Sequence, residues 1–114
     1  MLHHRFNPSQ RVLSLAIPSD LRSTNVEAIS REIQQILEAH QGLAEPWTAL
    51  HMDLTEAKMI DSAGLNLIVS LIRLSTQRRA RVKVTVSNPH VHRTFTFTRL
   101  DRQIELELLE PAPN

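Results

Sequence analysis

Leu13, Leu15 and Ile17 alternate with Ser14 and Ala16, the period-two pattern of a strand with one buried face. Leu2 to Phe6 offers a partner strand, joined to it through Asn7-Pro8-Ser9-Gln10, and Pro8 and Pro18 mark turns. Thr24 and Glu27 have the spacing of a capping box. Val26, Ile29, Ile33, Ile36 and Leu37 follow at helical intervals, and Gly42 supplies a stop. Leu50, Met52 and Leu54 alternate with His51 and Asp53 as the next strand, with Trp47 as an anchor just ahead of it. From Asp61-Ser62 to near Gln77 the period becomes helical. Leu65, Ile68, Val69, Leu71 and Ile72 lie on one side, and Asn66, Ser70, Arg73 and Gln77 form a polar stripe on the other. Val82, Val84 and Val86 mark a strand from Arg81 to Ser87, and Ile104, Leu106 and Leu108, alternating with Glu105 and Glu107, a last one.

The stretch from Pro89 to Leu100 carries two signals. Thr94-Phe95-Thr96-Phe97-Thr98 alternates and is rich in β-formers, which favours a strand. Val91 and Phe95, four apart, also suit a helix. Strands and helices alternate through the middle of the chain, so the class is α/β. The strands alternate in polarity instead of being apolar throughout, which predicts helices mainly on one face of the sheet.

Composition narrows the chemistry. The 114 residues, 41% hydrophobic and 22% charged, suit one globular domain, assigned to residues 1–110 with a frayed tail at 111–114. Thirteen basic residues against 12 acidic ones give a formal charge of +1, without the basic excess of a nucleic-acid binder. Cysteine is absent, which excludes thiol catalysis, disulfides and thiolate zinc sites. Glycine occurs only at Gly42 and Gly64, too few for a phosphate-binding glycine loop. The start of the chain lacks the features of a signal peptide. The best uncharged apolar stretch, Ala63 to Ile72, is about half of the ~20 residues a bilayer span needs. The expectation is a cytoplasmic protein with no cofactor, no metal, no nucleic-acid partner and no direct membrane insertion.

The most informative segment is Asp53-Leu54-Thr55-Glu56-Ala57-Lys58-Met59-Ile60-Asp61-Ser62-Ala63-Gly64-Leu65, where a strand ends, a loop follows and Asp-Ser-Ala-Gly opens an apolar helix. This joint resembles the D-[ST]-x-G-L motif of the STAS domain family, named for sulfate transporters and anti-sigma factor antagonists. The order of strand, helix, strand, motif helix and strand is similar as well. So is Val91-His92-Arg93-Thr94-Phe95 with Thr98-Arg99-Leu100-Asp101 behind it, which looks like the family's third helix and its turn. The resemblance runs from about Arg5 to Leu108. It implies a single STAS-like α/β domain with a mixed central sheet of about four to five strands and helices mainly on one face. It also implies that Pro89 to Arg99 contains a helix.

The resemblance implies a protein-interaction module and not an enzyme. In the antagonists the hydroxyl after the motif Asp is phosphorylated by a serine kinase that is also the anti-sigma factor; here that hydroxyl is Ser62. The implied contact face comprises Asp20, Arg22, Ser23 and Thr24 of the first loop, the motif Asp61, Ser62, Ala63 and Gly64, and the stripe residues Asn66, Ser70 and Arg73. Phosphate at the first turn of a helix adds roughly −1.5 to −2 charge beside unsatisfied backbone N–H groups, without a need to disturb the fold. With Asp61 and Glu56 already negative nearby, it would expel a partner presenting a neutral or acidic surface. Two departures are visible. Ala63 stands where the family often has Ser or Thr, and Ser19-Asp20-Leu21-Arg22 stands where antagonists commonly show G-[ED]-[LI]-D.

Other readings of these residues are available. Ser62 and Asp61 can simply cap a helix. Other STAS proteins serve as constitutive subunits of ABC or anion transporters or of stress-signalling scaffolds. Ser62 as a hydrolase nucleophile would need a base such as His90 or His92, and there is no G-x-S-x-G elbow. Asp53, Glu56 and Asp61 could be read as a magnesium cluster, but strand-end acids are more often solvated or capping. His3, His4, His90 and His92 offer no converging zinc set. Arg78, Arg79, Arg81 and Lys83 form a basic run, read as a solvated helix-to-strand corner because one Trp and three Phe give little for base stacking.

Overall fold

The computed structural model describes residues 2–40 and 46–109. The Gly42 stop and the 111–114 tail lie outside the described residues. The element order is β1 (His3–Asn7), β2 (Val12–Ala16), α1 (Val26–Ala39), β3 (Ala49–Leu54), α2 (Ser62–Gln77), β4 (Arg81–Val86), α3 (Pro89–Phe97), a 3-10 turn (Leu100–Arg102) and β5 (Glu105–Leu108). The five strands lie side by side in chain order, β1 antiparallel to β2 and the rest parallel. Each parallel step is a crossover through helix or turn, and crossovers of this kind are almost always right-handed. Because the order advances in one direction, every crossover falls on the same face.

Register rows show what each face carries. Leu13, Leu50 and Val82 form one row, and Leu15, Met52, Val84 and Leu106 the next. These face the helices and pack against Ile33, Ile68, Ile72, Val91 and Phe95. The opposite face carries Val12, Ala49 and Arg81, then Ser14, His51, Lys83 and Glu105, then Ala16, Asp53, Thr85 and Glu107. No helix of the described residues covers this side, as the alternating polarity predicts.

One sequence reading changes at the helices and another is borne out. The capping box at Thr24 and Glu27 does not form: the residue before α1 is Asn25, and α1 has no side-chain cap. The Asn25 amide turns back into the loop instead, accepting from Arg22 N (2.9 Å) and donating to Asp20 O (2.7 Å). Its job is to fold the loop, which leaves the helix end to the backbone bond from Val26 N to Arg22 O (2.8 Å). The segment from Pro89 is helical, as the resemblance implies and against local β preference. Asn88 Oδ1 accepts from His90 N (2.8 Å) and Val91 N (3.3 Å), and Pro89 sits in the first turn, where its missing N–H costs nothing. Val91 and Phe95 are buried four residues apart, and the hydroxyls of Thr94 and Thr98 bond back to the carbonyls of His90 and Thr94. At the last strand, Ile104 precedes β5 instead of lying in it, and Leu108 is partly exposed.

Candidate functional site

Parallel strands followed by helices bring the loops after β2 and β3 to one end of the sheet, above the carboxyl ends of the strands, where α/β proteins commonly place their sites. The two loops are bound together. Leu21 and Ile60 form a parallel bridge, with Leu21 N donating to Met59 O (3.1 Å) and Asp61 N to Leu21 O (3.0 Å). Two carboxylates brace this bridge reciprocally. Asp20, in the first loop, accepts from Lys58 N (2.7 Å) and Met59 N (3.2 Å) of the second. Asp61, at the end of the second, accepts from Ser23 N (2.7 Å) of the first. The other Asp61 oxygen caps α2 by accepting from Gly64 N (2.9 Å).

Gly64 completes the joint. A Cβ there would meet the carbonyl oxygen of Leu21 at 2.5 Å and its Cβ at 2.6 Å. The motif glycine is thus required by the close approach of α2 to the first loop, not by an unusual backbone angle. Ser62 is the first residue of α2 and is exposed. Among the described residues its hydroxyl makes no hydrogen bond, so Asp61 does the capping and Ser62 is free of that task. Ala63 is half-buried beside it.

The remaining residues of the expected face are placed as follows. Arg22, half-exposed, pairs with Asp20 at 3.1 Å. Ser23 and Thr24 are exposed at the loop tip. Asn66 and Ser70 line a shallow groove of about 410 Å³ between α1 and α2, opposite Val26 and Ser30. Arg73 lies against a different hollow, between α2 and the 3-10 turn, beside Leu100 and Gln103. Sequence reading missed three contributors: Asn25 as the loop's organiser, the brace from Asp20 to residues 58 and 59, and Met59, which is 47% exposed next to the motif. Asn immediately before Val26 is a cap-type signal that could have displaced Thr24. The brace spans 38 residues and has no local signature.

Other chemistries find different geometry. Asp53 Oδ1 accepts from Thr55 N (2.9 Å) and Oγ1 (2.7 Å), an Asx turn, while Asp61 is occupied by Ser23 and Gly64. The two acids serve separate loops, and among the described residues no group of three or more His, Asp or Glu converges on a metal position. No hydrogen bond links Ser62 to His90 or His92 among the described residues. No described helix is long and apolar enough to cross a membrane.

The backbone N–H groups of Gly64 and Ser23 hold the Asp61 carboxyl below its ordinary range, with Arg22 adding a smaller pull in the same direction. The Lys58 amide does the same for Asp20, against partial desolvation and with help from Met59 N and Arg22. A carboxyl with a lowered folded-state pKa contributes stability above its unfolded value, near ~3.9, and loses it as pH falls through the folded one. Urea unfolding followed from neutral pH downward should therefore show stability falling below about pH 4–5, and Asp61→Asn should fall less steeply. An unchanged slope in that variant would assign the acid sensitivity elsewhere.

The STAS domain model matches residues 6–111. The chain belongs to the STAS domain family. Its fold is shared with solved structures of low sequence identity. One is a Thermotoga maritima protein provisionally assigned as an anti-sigma factor antagonist, with TM-score 0.78 and 16% identity over 97% of this chain and 86% of that one. Another is an anti-sigma factor antagonist from Mycobacterium paratuberculosis, with TM-score 0.72 and 16% identity over 94% and 86%. A third is the anti-sigma factor antagonist SpoIIAA in its unphosphorylated form, with TM-score 0.69 and 15% identity over 98% and 89%. No curated protein matches the chain at a significant level. In this STAS domain the motif residues Asp61 and Gly64 lock the loop after β2 to α2.

Proposed function

We propose that this STAS domain is a cytoplasmic regulator of the anti-sigma factor antagonist kind, which binds a protein partner through the end of the fold carrying Ser62 and is switched by phosphorylation there. The partner class is an anti-sigma factor with serine-kinase character. The observation that carries the reading is the state of Ser62: an exposed hydroxyl, without a hydrogen bond among the described residues, at the first turn of a helix whose cap is already provided by Asp61. A phosphate could be added there without removing any contact that holds the fold. The binding face centres on Asp20, Arg22, Ser23 and Thr24 together with Asp61 to Gly64, and extends along the α1–α2 groove through Asn66 and Ser70, with Arg73 at its margin. Exposed Met59 gives it an apolar point beside the motif.

Affinity capture from the native cell, followed by mass spectrometry of the bait and its partners, tests this directly. The expected result is one anti-sigma-type kinase and a phosphopeptide containing Ser62. Substituting Arg22 or Asn66 by Ala should weaken partner binding while leaving the unfolding midpoint unchanged, because both side chains are exposed. Full affinity in both variants, with loss on substitution of the opposite surface, would reassign the face.

One observation favours a second reading. Arg22 places a cation, paired with Asp20, where the antagonist pattern has an acid. A partner other than the usual kinase, such as a transporter or stress-signalling scaffold subunit bound constitutively, would suit that change. Capture of a permease or ATPase with an unmodified Ser62 would select it.

A further inference from the structure

The basic run after α2 is not one patch. Arg78 lies over the Trp47 ring, 3.8 Å from its centroid, and Arg79 turns the chain with a left-handed φ of 59°. Arg81 and Lys83, two apart on β4, stand in the rows of the uncovered sheet face. Arg102 of the 3-10 turn joins them around a hollow of about 710 Å³ at the amino ends of the strands, the far end of the sheet from Ser62. Val12, Ala49 and Ile104 give it an apolar wall. The volume lies within the range of about 300–1,000 Å³ typical of small-molecule sites.

The charge on this hollow is unbalanced. Among the described residues, Arg81, Lys83 and Arg102 line it against one carboxylate, Glu105. Lys83 is engaged at 3.7 Å by Glu107. The guanidinium groups of Arg81 and Arg102 make no ion pair or side-chain hydrogen bond among the described residues. Gathered cations repel one another, so an anion among them is favoured, and guanidinium forks match phosphate oxygens in pairs.

We propose that this hollow binds a small molecule bearing a phosphate or diphosphate on an apolar body, with the anion among Arg81, Lys83 and Arg102 and the body against Val12, Ala49 and Ile104. This site is independent of the Ser62 reading, since it lies at the other end of the strands and uses none of the same residues. His51 adjoins it and reports on its occupancy. Burial, and then the Lys83 charge, hold the His51 imidazole below its ordinary pKa, while Asp53, Glu107 and Glu105 act in the opposite sense. An anion seated on Lys83 should raise it.

The test is an amide NMR titration of the full chain at constant ionic strength with ADP, with pyrophosphate and with an oligoglutamate peptide. The expected result is saturable shifts at Val12, Ala49, Lys83 and Glu105 and none at Asp61 to Gly64. ADP should bind more tightly than pyrophosphate because of the apolar wall. His51 should titrate at higher pH when ADP is saturating. Arg81→Gln and Arg102→Gln should each weaken ADP about tenfold with unchanged thermal unfolding, as both side chains are exposed. Shifts that never saturate, undiminished affinity in both variants, pyrophosphate binding as well as ADP, or tighter binding of the peptide than of ADP would each overturn the proposal.

Discussion

Gly64→Ala is expected to destabilise the domain by about 1–3 kcal/mol, the usual cost of forcing a methyl into a filled space. The added Cβ would stand 2.5 Å from Leu21 O, 2.6 Å from Leu21 Cβ and 2.9 Å from Leu21 C. Two of these three obstacles are backbone atoms, so a rotamer change cannot relieve them. The backbone at Leu21 cannot retreat freely either. Its N–H and carbonyl are bonded to Met59 and Asp61, and Asp20 and Ser23 on either side carry the reciprocal braces. Leu21 is itself fully buried. Either α2 shifts outward or the Leu21–Ile60 bridge opens, and both disrupt the face proposed for the partner. Urea unfolding should show a lower midpoint with an unchanged slope. Amide shifts should extend beyond α2 to residues 20–23 and 58–61. A variant as stable as the parent, with shifts confined to its own helix turn, would mean that the close approach does not constrain the joint.

The core was largely readable because it is written in local periods. Leu13, Leu15, Leu50, Met52, Val82 and Val84 all declare their buried face by alternation, and Ile68, Leu71 and Ile72 by helical spacing. The helix at Pro89 was readable only through the family pattern, because Thr94 to Thr98 alternates like a strand. What decides it lies at its ends and in its packing: Asn88 with Pro89 starts the helix, and burial of Val91 and Phe95 on one side outweighs the β preference of the threonines. Thr24 shows the opposite failure. Its spacing to Glu27 suits a cap, but Asn25 is drawn into the loop by Asp20 and Arg22, so the helix starts a residue later than the capping box implies. At the site, the motif was visible but its mechanical role was not. Asp61 reaching Ser23 and Asp20 reaching Lys58 are contacts across 38 positions, set by neighbouring parallel strands and not by any pattern along the chain. The same holds for the hollow at the other end, where Arg81 and Lys83 read as a solvated corner until β5 and the 3-10 turn bring Arg102 beside them.

The largest functional effect is expected at Ser62. With the captured partner in hand, Ser62→Asp should weaken binding at least about tenfold, or ~1.4 kcal/mol. The carboxylate would stand on an exposed first-turn residue next to Asp61, whose own charge is held in place by Gly64 N and Ser23 N and cannot move away. Two fixed negative charges would then face a surface that docks against one. Phosphoserine carries more charge than Asp and should weaken binding further. Folding should tolerate the substitution, since negative charge at a helix N-terminus is favourable. Ser62→Ala separates the two readings of the domain. Under a phosphorylation switch the hydroxyl serves only as acceptor, and the variant should bind as the parent does but ignore the kinase. Under constitutive binding the free hydroxyl is available to the partner, and Ser62→Ala should itself cost about 0.5–1.5 kcal/mol. Titration calorimetry of both variants therefore distinguishes them by which substitution hurts. Undiminished binding in both would leave Ser62 as a surface residue that neither caps its helix nor meets a partner, and the function would have to be sought on another face.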